Sequence, residues 1–384
     1  MTRRIAVFTG TRAEYGLLYW VMRELQACGW CELQLIAGAM HFSPEFGETW
    51  RQIERDGFPI DAKVEMLLSS NTQVGVAKSI GLGTIGFADA LDRLRPDCLM
   101  VLGDRFEALA VAQAALIMHV PLVHMHGGEI TEGAYDDAIR HAVTKMASLH
   151  FVSTETYRRR VIQLGESPGT VFNVGALGLD HMARSPRLTL AQLSQSLAFE
   201  LRRPYFLVTY HPATVGNENP ATTFAALLEA LDQFPDHQVV ITYPNADSGG
   251  RLIISLLEDY AKQHSGRVLA IKSLGSERYI SVAANAAAII GNSSSGIIEV
   301  PALAVPTIDI GIRQQGRLAA GSVLHCEADR VSILAALREA LSPDFAARLQ
   351  NIENPYGNGD AAIKITKILK DFEFVFPKKF YDLV

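Results

Sequence analysis

The sequence predicts an α/β protein with two doubly wound domains, because the chain is long and two series of elements alternate along it. Its 384 residues exceed what one typical hydrophobic core holds and suit two domains. Short apolar strands alternate with segments of helical period from residue 5 to about 175, and again from residue 205 onward. Such alternation predicts parallel sheets covered on both faces, with function at the carboxyl ends of the strands.

The first domain is expected at residues 1–180. Its opening strand is Ile5–Phe8, apolar residues then recur at helical spacing up to Leu25, and Leu33–Gly38 is the next strand. A helical stretch interrupted by glycines is expected between about Asn71 and Arg95. Further strands are predicted at Cys98–Leu102, Leu122–His126 and His150–Ser153.

The second domain is expected at residues 187–361, after a linker near Gly178–Pro186 where the pattern relaxes. Its predicted strands are Tyr205–Thr209, Gln238–Thr242, Val268–Ile271, Ala286–Ile290 and Pro306–Ile310. The tail, residues 362–384, has apolar residues at roughly helical spacing and is a candidate to pack back onto the first domain. Ligands of paired α/β domains usually bind in the cleft between them, and we expect the active site there.

Composition excludes several classes of protein. The net charge is −6 and no block of Lys or Arg occurs, so neither nucleic acid nor an anionic membrane is an expected partner. Cys28 and Cys31 match half of a redox or zinc motif, but no second pair follows, and we interpret them as reduced structural thiols. The first four residues run into a strand without an apolar leader, and no apolar run has membrane-spanning length, so a cytoplasmic location is expected.

The stretch Gly291–Gly296 predicts a phosphate-binding turn between a buried strand and a helix. Its two glycines allow close backbone approach, while three serine hydroxyls and the free N–H groups of the helix start can donate to phosphate oxygens. Glu299, in the following helix, could meet a ribose or sugar hydroxyl. Helix capping is the commoner use of Ser and Asn at such a position, and it stays open here.

The densest group of titratable residues follows two strands of the first domain. Its members are Asp104, His124, His126, Glu129, Asp136 and Asp137. In an extended segment His124 and His126 would share one face. The pattern fits turn and cap residues, a zinc or manganese site, or a pair of groups for general acid and base catalysis, and the residues alone do not separate these readings.

Isolated basic residues also follow predicted strands and are candidates to contact an anionic or sugar substrate. They are Arg12, His41, Arg105, His211, Arg313 and Arg317. Arginine forms paired hydrogen bonds with phosphates and carboxylates, although a solvated surface position is its commoner role.

Six segments in order along the chain form a joint pattern that is much more specific than one glycine-rich turn. They are Thr9–Gly16, Gly38–His41, Gly103–Arg105, His124–Glu129, Ile139–His141 and Gly291–Pro301. Together they resemble the UDP-N-acetylglucosamine 2-epimerases, above all the hydrolysing branch that opens bacterial sialic acid biosynthesis. The resemblance implies the two-domain GT-B architecture.

The resemblance also implies a reaction. A base would remove the C2 proton while the C1–O bond to UDP breaks, giving a glycal, and water would then add with inversion at C2. The products would be free N-acetylmannosamine and UDP. No redox step occurs, so no cofactor and no metal are expected; the partners would be a UDP-sugar and further copies of the chain in a homodimer or homotetramer.

Carried over residue by residue, the essential acids and bases fall on Asp104, on Asp136 and Asp137, and on His126, where some relatives have Glu. Proton transfer is therefore open between His126 and Glu129. Nucleotide contacts fall on Arg12, His211, Ser293, Ser294 and Glu299, with His41, Arg105, Arg313 and Arg317 as further substrate contacts.

Two departures from the non-hydrolysing branch favour the hydrolysing one. His211–Val215 lacks the His-Arg-Arg-Glu-Asn motif of that branch, and Leu17 stands where that branch has Lys. The alternatives are a hydrolysing 2-epimerase of a nucleotide-linked 2,4-diacetamido-2,4,6-trideoxyhexose, a non-hydrolysing epimerase, a metal-dependent hydrolase, a GT-B glycosyltransferase and a non-catalytic sensor of nucleotide sugars.

Overall fold

The structure is a computed structural model that describes residues 2–68, 72–130, 135–212, 219–244 and 250–383. The chain divides into two compact units. Unit 1 comprises Met1–Asp180 with Gly359–Val384, and unit 2 is His181–Asn358. The helix start predicted at Asn71 lies outside the described residues.

Unit 1 contains a parallel sheet whose strands are ordered β3-β2-β1-β4-β5-β6-β7. The strands are β1 (Arg3–Thr9), β2 (Cys31–Gly38), β3 (Ala62–Val64), β4 (Cys98–Leu102), β5 (Leu122–Met125), β6 (Leu149–Val152) and β7 (Val171–Asn173). The strand order reverses between β1 and β4, which is the topological switch point where ligands of such sheets bind. The short strands β3 and β7 were not predicted from the sequence.

Helices cover both faces of this sheet. They are α1 (Arg12–Ala27), α2 (Trp50–Arg55), α3 (Gln73–Leu94), α4 (Phe106–Ile117), α5 (Asp136–Met146), α6 (Glu155–Gln163), α7 (Gly178–Arg184, which continues into unit 2) and α15 (Ala361–Asp371), with 3-10 turns at Ala39–Phe42, Pro44–Phe46 and Pro168–Thr170. The buried residues Leu18, Val21, Met22 and Leu25 of α1 follow helical spacing and pack with α15 on one face, while α3, α4 and α5 cover the other.

Unit 2 repeats the architecture with a parallel sheet ordered β10-β9-β8-β11-β12-β13. Its strands are β8 (Tyr205–Thr209), β9 (Gln238–Thr242), β10 (Val268–Ile271), β11 (Ala288–Gly291), β12 (Thr307–Ile310) and β13 (Val323–Cys326). Its helices are α8 (Leu190–Leu197), α9 (Pro220–Leu231), α10 (Gly250–Gln263), α11 (Gly275–Ala283), α12 (Ser294–Ile298), α13 (Arg330–Ala340) and α14 (Pro343–Leu349), with a 3-10 turn at Val300–Leu303. The switch point lies between β8 and β11, and the predicted class of two doubly wound α/β domains is confirmed.

Helix α3 is, among the helices in the described part of the chain, the one long and apolar enough to cross a membrane by length and composition. The sequence expectation that no segment reaches this length is therefore wrong for α3. Its residues Phe87, Ala90 and Leu91 are buried in the core of unit 1. A β-carbon on Gly83 would come within 2.7 Å of the side chain of Met66, so this glycine lets α3 pack closely in that core.

The predicted linker near Gly178–Pro186 is mostly helix α7 rather than an irregular segment. Asp180 in this helix is buried, and its carboxylate accepts the N–H groups of Ala361 and Ala362 at 3.1 and 3.3 Å. These are the first two residues of α15, whose own preceding residue, Asp360, makes no side-chain cap. Asp180 therefore caps α15 from outside that helix.

Candidate active site

A cavity of about 490 Å³ lies at the switch point of unit 1. Its walls come mainly from the segments that follow β1, β4 and β5. The lining residues are Thr11, Arg12, Ala13, Glu14, Leu17, Met40, Thr49, Leu102, Gly103, Asp104, Arg105, His126, Glu129 and Arg140. Apolar side chains therefore stand beside charged ones in a volume typical of small-molecule sites.

Glu14 is a buried carboxyl group in this cavity that the sequence interpretation did not assign to the site. Its Oε2 accepts the N–H groups of Gly10 at 2.7 Å and Thr11 at 3.1 Å, while the Thr11 hydroxyl caps the Glu14 N–H. Burial raises the pKa of Glu14 to about 7, and the nearby charge of Glu107 acts in the same direction. The spacing Thr11-x-x-Glu14 is a capping box, so the sequence did contain a signal for its position.

Asp104 follows β4 and forms an ion pair with Arg140 of α5. Both side chains are largely buried, with exposed fractions of 19% and 8%. Burial raises the pKa of Asp104 above its ordinary value, and Arg140 opposes this rise only in part. Arg140 was noted in the sequence without a role; it lies four residues after Asp136, which places both on one side of a helix.

His126 and Glu129 form a pair beside Asp104. The backbone of His126 is left-handed, with φ of 62°, and its Nδ1 lies 3.1 Å from Glu129 Oε1. Ser153 donates to the same carboxylate oxygen at 3.0 Å, and the Leu177 N–H donates weakly to His126 Nε2 at 3.4 Å. The Glu129 carboxylate thus orients the His126 imidazole through Nδ1.

His124 does not share a face with His126, and that prediction is wrong. Strand β5 ends at Met125, so the left-handed residue His126 leaves the extended backbone. His124 is fully buried, with Nε2 2.7 Å from Gly103 O and Nδ1 3.0 Å from Thr144 Oγ1. Burial lowers its pKa to about 3, and both ring nitrogens are engaged within the core, which removes His124 from the predicted metal ligands.

The Asp136 and Asp137 pair opens α5, and its two members differ. Asp137 Oδ2 lies 3.4 Å from Nε2 of His141 on the same helix. The charge of Asp136 instead raises the pKa of Asp104 and that of Arg105, so Asp136 is the member close to the cavity residues. This separates two residues that the sequence treats alike.

The three basic residues predicted in unit 1 occupy different positions. Arg12 is exposed at the start of α1 and lines the cavity. Arg105 also lines it and forms a two-pronged ion pair with the buried Glu107, at 3.0 and 3.2 Å. His41 is fully buried between the hydroxyls of Thr9 and Thr49, at 3.0 and 2.7 Å, and burial lowers its pKa to about 4. His41 thus lies behind the cavity wall, where Thr49 is the lining residue.

At the switch point of unit 2, Asn292 joins three loops. Its side-chain amide accepts the His211 N–H and donates to His211 O, both at 2.8 Å. Its backbone carbonyl accepts from Arg313 at 3.0 Å and Gln314 at 2.9 Å. The preceding Gly291 has φ of 142°, and a β-carbon there would fall 2.0 Å from Thr209 O, so only glycine fits. The sequence interpretation placed Asn292 in the phosphate-binding turn and assigned no role to Gln314.

The predicted strand, turn and helix at Gly291–Gly296 are confirmed as β11, a turn and α12. Ser293 occupies the N-cap position, but its side chain makes no capping hydrogen bond. The Ser295 hydroxyl accepts from Tyr279 at 2.7 Å. Ser293, Ser294 and Glu299 are partly buried at the surface of this turn, so plain helix capping does not explain the serines.

The remaining predicted residues of unit 2 lie on neighbouring loops. His211 is buried after β8, Arg313 is exposed after β12 and contacts Asn292, and Arg317 is partly buried further along the same loop. The switch point therefore gathers His211, Ser293, Ser294 and Arg313 around one hydrogen-bonded residue. Ala213–Val215, part of the segment that distinguishes the two branches, lies outside the described residues.

Comparison with known proteins decides the family. The family model described as UDP-N-acetylglucosamine 2-epimerase matches residues 23–370. The chain belongs to this family. The resemblance inferred from six short segments is thereby confirmed over most of the chain.

Three members illustrate the relationship. The chain is 41% identical over 325 residues to the GDP/UDP-N,N'-diacetylbacillosamine 2-epimerase (hydrolyzing) of Campylobacter jejuni, covering 85% of this chain and 84% of that protein. It is 37% identical over 371 residues to the polysialic acid biosynthesis protein P7 of Escherichia coli, covering 96% and 94%. The crystal structure of UDP-GlcNAc 2-epimerase from Neisseria meningitidis bound to UDP-GlcNAc has a TM-score of 0.77 at 20% identity, covering 96% and 99%.

These comparisons confirm the GT-B-like class with two Rossmann-like domains. The roles assigned to individual residues, and the placement of the active site between the domains, stay predictions.

Proposed function

We propose that this protein is a hydrolysing 2-epimerase of a nucleotide-linked 2,4-diacetamido-2,4,6-trideoxyhexose. The observation that carries the proposal is the 41% identity, over 85% of the chain, to the Campylobacter enzyme named for diacetylbacillosamine. The reaction releases the nucleoside diphosphate and the free sugar inverted at C2. This revises the sequence expectation, in which UDP-N-acetylglucosamine came first and the diacetamido sugar was the alternative.

The residues that line the unit 1 cavity favour a 6-deoxy sugar as the substrate. Leu17, Met40 and Leu102 contribute apolar surface beside the charged groups. A 2,4-diacetamido-2,4,6-trideoxyhexose carries a methyl group on C5 and an acetamido group on C4, where N-acetylglucosamine carries a hydroxymethyl group and a hydroxyl. Apolar walls favour the former because they can pack against the C5 methyl and the acetamido methyl but offer the two hydroxyls no hydrogen-bond partners.

Two groups of unit 1 suit the proton transfers. Asp104 has a raised pKa, which makes its carboxylate a stronger base toward the weakly acidic C2 proton. We assign it to proton abstraction while the C1–O bond breaks. The His126–Glu129 pair then handles the second transfer, in which water adds its hydroxyl to C1 and C2 receives a proton on the opposite face.

Unit 2 would recognise the nucleotide. The serine hydroxyls and N–H groups of the β11–α12 turn, with Arg313 nearby, offer donors to a diphosphate that leaves with increased negative charge. Asn292 would hold His211 and Arg313 in register for this task.

UDP-N-acetylglucosamine remains the second candidate substrate. It is supported by the 37% identity to the polysialic acid biosynthesis protein P7 of E. coli, and by the resemblance of the six segments to the epimerases that open bacterial sialic acid biosynthesis. Its products would be N-acetylmannosamine and UDP.

We further expect a cytoplasmic location and a homodimer or homotetramer. Light scattering coupled to size-exclusion chromatography tests the second expectation.

The deciding experiment incubates the protein with UDP-diacetylbacillosamine, its GDP counterpart or UDP-N-acetylglucosamine in deuterated water and follows the products by NMR. We expect free C2-inverted diacetamido sugar with deuterium at C2, together with free diphosphate. Turnover of UDP-N-acetylglucosamine alone would select the second candidate. An intact nucleotide sugar inverted at C2 would instead assign the non-hydrolysing reaction.

A further inference from the structure

Glu166 in unit 1 is buried and contacts two lysine side chains and one histidine side chain. Its carboxylate oxygens lie 2.5 Å from Lys145 Nζ, 3.0 Å from His150 Nε2 and 2.7 Å from Lys378 Nζ. Burial opposes ionisation, but the hydrogen bonds from these groups outweigh it and lower the pKa of Glu166 to about 2. Removing one lysine leaves the other lysine and His150 on the carboxylate.

Lys378 differs from Lys145 because its ammonium also contacts backbone carbonyls at the end of a helix. It belongs to the segment after α15, and its ammonium donates to Ala147 O at 2.6 Å and to Thr144 O at 3.5 Å. These carbonyls lie in the last turn and at the C-cap of α5, where a cation is favourable, and Thr144 O also accepts the Ala147 N–H. Lys378 therefore caps the carboxyl end of α5.

Arg140 lies in the middle of α5 and forms the ion pair with Asp104. A chain of hydrogen bonds joins this part of the helix to its carboxyl end. The Thr144 hydroxyl lies 2.9 Å from Arg140 O and 3.0 Å from His124 Nδ1, and His124 Nε2 lies 2.7 Å from Gly103 O, directly before Asp104. The capped carboxyl end of α5 and the Asp104–Arg140 ion pair are thus linked through the core of unit 1.

We propose that Lys378 is a positioning residue that fixes α5 so that Arg140 is held against Asp104. The inference rests on the proposed function. Lys378 does not line the cavity and acts only through the helix. The charged groups that face Asp104 are Arg140 and Asp136 of α5 and Glu129 after β5, and two of these three move with α5.

The test compares Lys378→Met with Lys145→Met. Both variants remove one cation from Glu166, but only Lys378→Met removes the donor to the α5 carbonyls. With Arg140 less well placed, the pKa of Asp104 rises, so the acid limb of the kcat/KM profile moves to higher pH. We expect a loss of about tenfold or more in kcat at neutral pH, with UDP affinity unchanged. Lys145→Met removes a tether of α5 to Glu166 but keeps the Lys378 donor on the α5 carbonyls, so it should move the profile less.

Hydrogen exchange of peptides covering residues 136–146 gives a readout that needs no substrate. We expect faster exchange in Lys378→Met than in Lys145→Met, with thermal melting confirming that both are folded. If Lys378→Met does not fold, Lys378→Gln, whose amide is uncharged and one atom shorter, should shift both readouts in the same direction.

Equal pH profiles and equal exchange in the lysine variants would overturn the inference. A wild-type protein that turns over none of the nucleotide sugars would instead overturn the proposed function, while hydrogen exchange would still decide whether Lys378 positions α5.

Discussion

The two switch points have the same topology and different chemistry. In unit 1 the segments after β1, β4 and β5 bring together buried carboxylates, an imidazole and guanidinium groups, among them Asp104, His126 and Arg140. In unit 2 the segments after β8, β11 and β12 bring together amides, hydroxyls, backbone groups and the basic residues His211 and Arg313, centred on Asn292, with no carboxylate in the hydrogen bonds described there. A shared fold therefore fixes where the polar residues collect but not what they do.

The difference fits the two parts of the proposed reaction. Proton transfer needs groups whose pKa values are moved by burial, and unit 1 raises the pKa of Glu14 and of Asp104. Binding a diphosphate needs donors that stay neutral or positive at every working pH, which amide and hydroxyl groups do. We infer that variants of unit 1 chiefly change kcat, while variants of unit 2 chiefly change nucleotide affinity.

Replacing Asp104 is expected to have the largest effect. Asp104→Asn keeps the shape of the side chain but removes the base, so kcat should fall about 10²- to 10⁴-fold while UDP still binds. Asp97→Asn is the matched control, because Asp97 precedes the same strand at its opposite end and pairs with Arg4. Steady-state kinetics and calorimetric UDP titration measure the two quantities. A kcat within threefold of the wild type would contradict the role of Asp104.

Glu14 predicts how stability depends on pH. Its pKa is about 7 in the folded protein and near 4.5 in the unfolded chain, so between these values only the folded state holds the proton. Stability must therefore fall as pH rises through this window, by on the order of 3 kcal/mol.

Glu14→Gln keeps an acceptor for the N–H groups of Gly10 and Thr11 and cannot ionise. Denaturant unfolding at pH 5 and pH 8 should show a smaller loss of stability in this variant than in the wild type. Equal losses in both proteins would show that Glu14 ionises normally.

The His126–Glu129 pair predicts non-additive kinetics. Glu129→Gln should lower kcat about 10²-fold, because the amide cannot stabilise a protonated His126. The double variant Glu129→Gln/His126→Ala should be little slower than either single variant, because the two residues act as one unit and losing one already disables the other. Glu155→Gln, on the surface of α6, is the control. Fully multiplicative losses would mean that the two residues act separately.

Asn292→Asp tests unit 2 and should have the smallest effect. The carboxylate can still accept the His211 N–H, but it loses the donor to His211 O and faces that carbonyl with a negative charge. We expect UDP to bind about tenfold more weakly, with a minor change in kcat. Asn285→Asp is the control, since Asn285 donates to Ser281 O at the end of α11. If Asn292→Asp lowered kcat and left UDP affinity unchanged, the inferred division of roles between unit 1 and unit 2 would be wrong.

The sequence predicts the strands well where apolar runs are long and bounded by glycine or polar residues. The bounds of β4, β8, β9 and β10 agree with prediction residue for residue. The short edge strands β7 and β13 were not predicted, because each contains a polar residue, Asn173 or His325, whereas the equally short edge strand β10 is an uninterrupted apolar run.

Within the candidate site, the sequence identifies residue types at strand ends but not their orientation. The left-handed backbone of His126 depends on the tertiary turn, so a two-residue spacing wrongly placed it beside His124. The pairing of Asp104 with Arg140 joins segments 36 residues apart, which no local pattern encodes. Asn292 was read as part of a phosphate turn, whereas its contacts to His211 appear only when β8 and β11 are adjacent.

The capping of α15 by Asp180 has a consequence for synthesis of the chain. Unit 1 is assembled from two stretches that flank unit 2, and Ile365 and Leu369 of α15 are buried in its core. On the ribosome, residues 1–180 emerge first and lack that helix until the whole of unit 2 has been translated. We therefore expect unit 2 to complete its fold before unit 1, although unit 2 is synthesised after residues 1–180. Until then, the nascent residues 1–180 should depend on chaperones for longer.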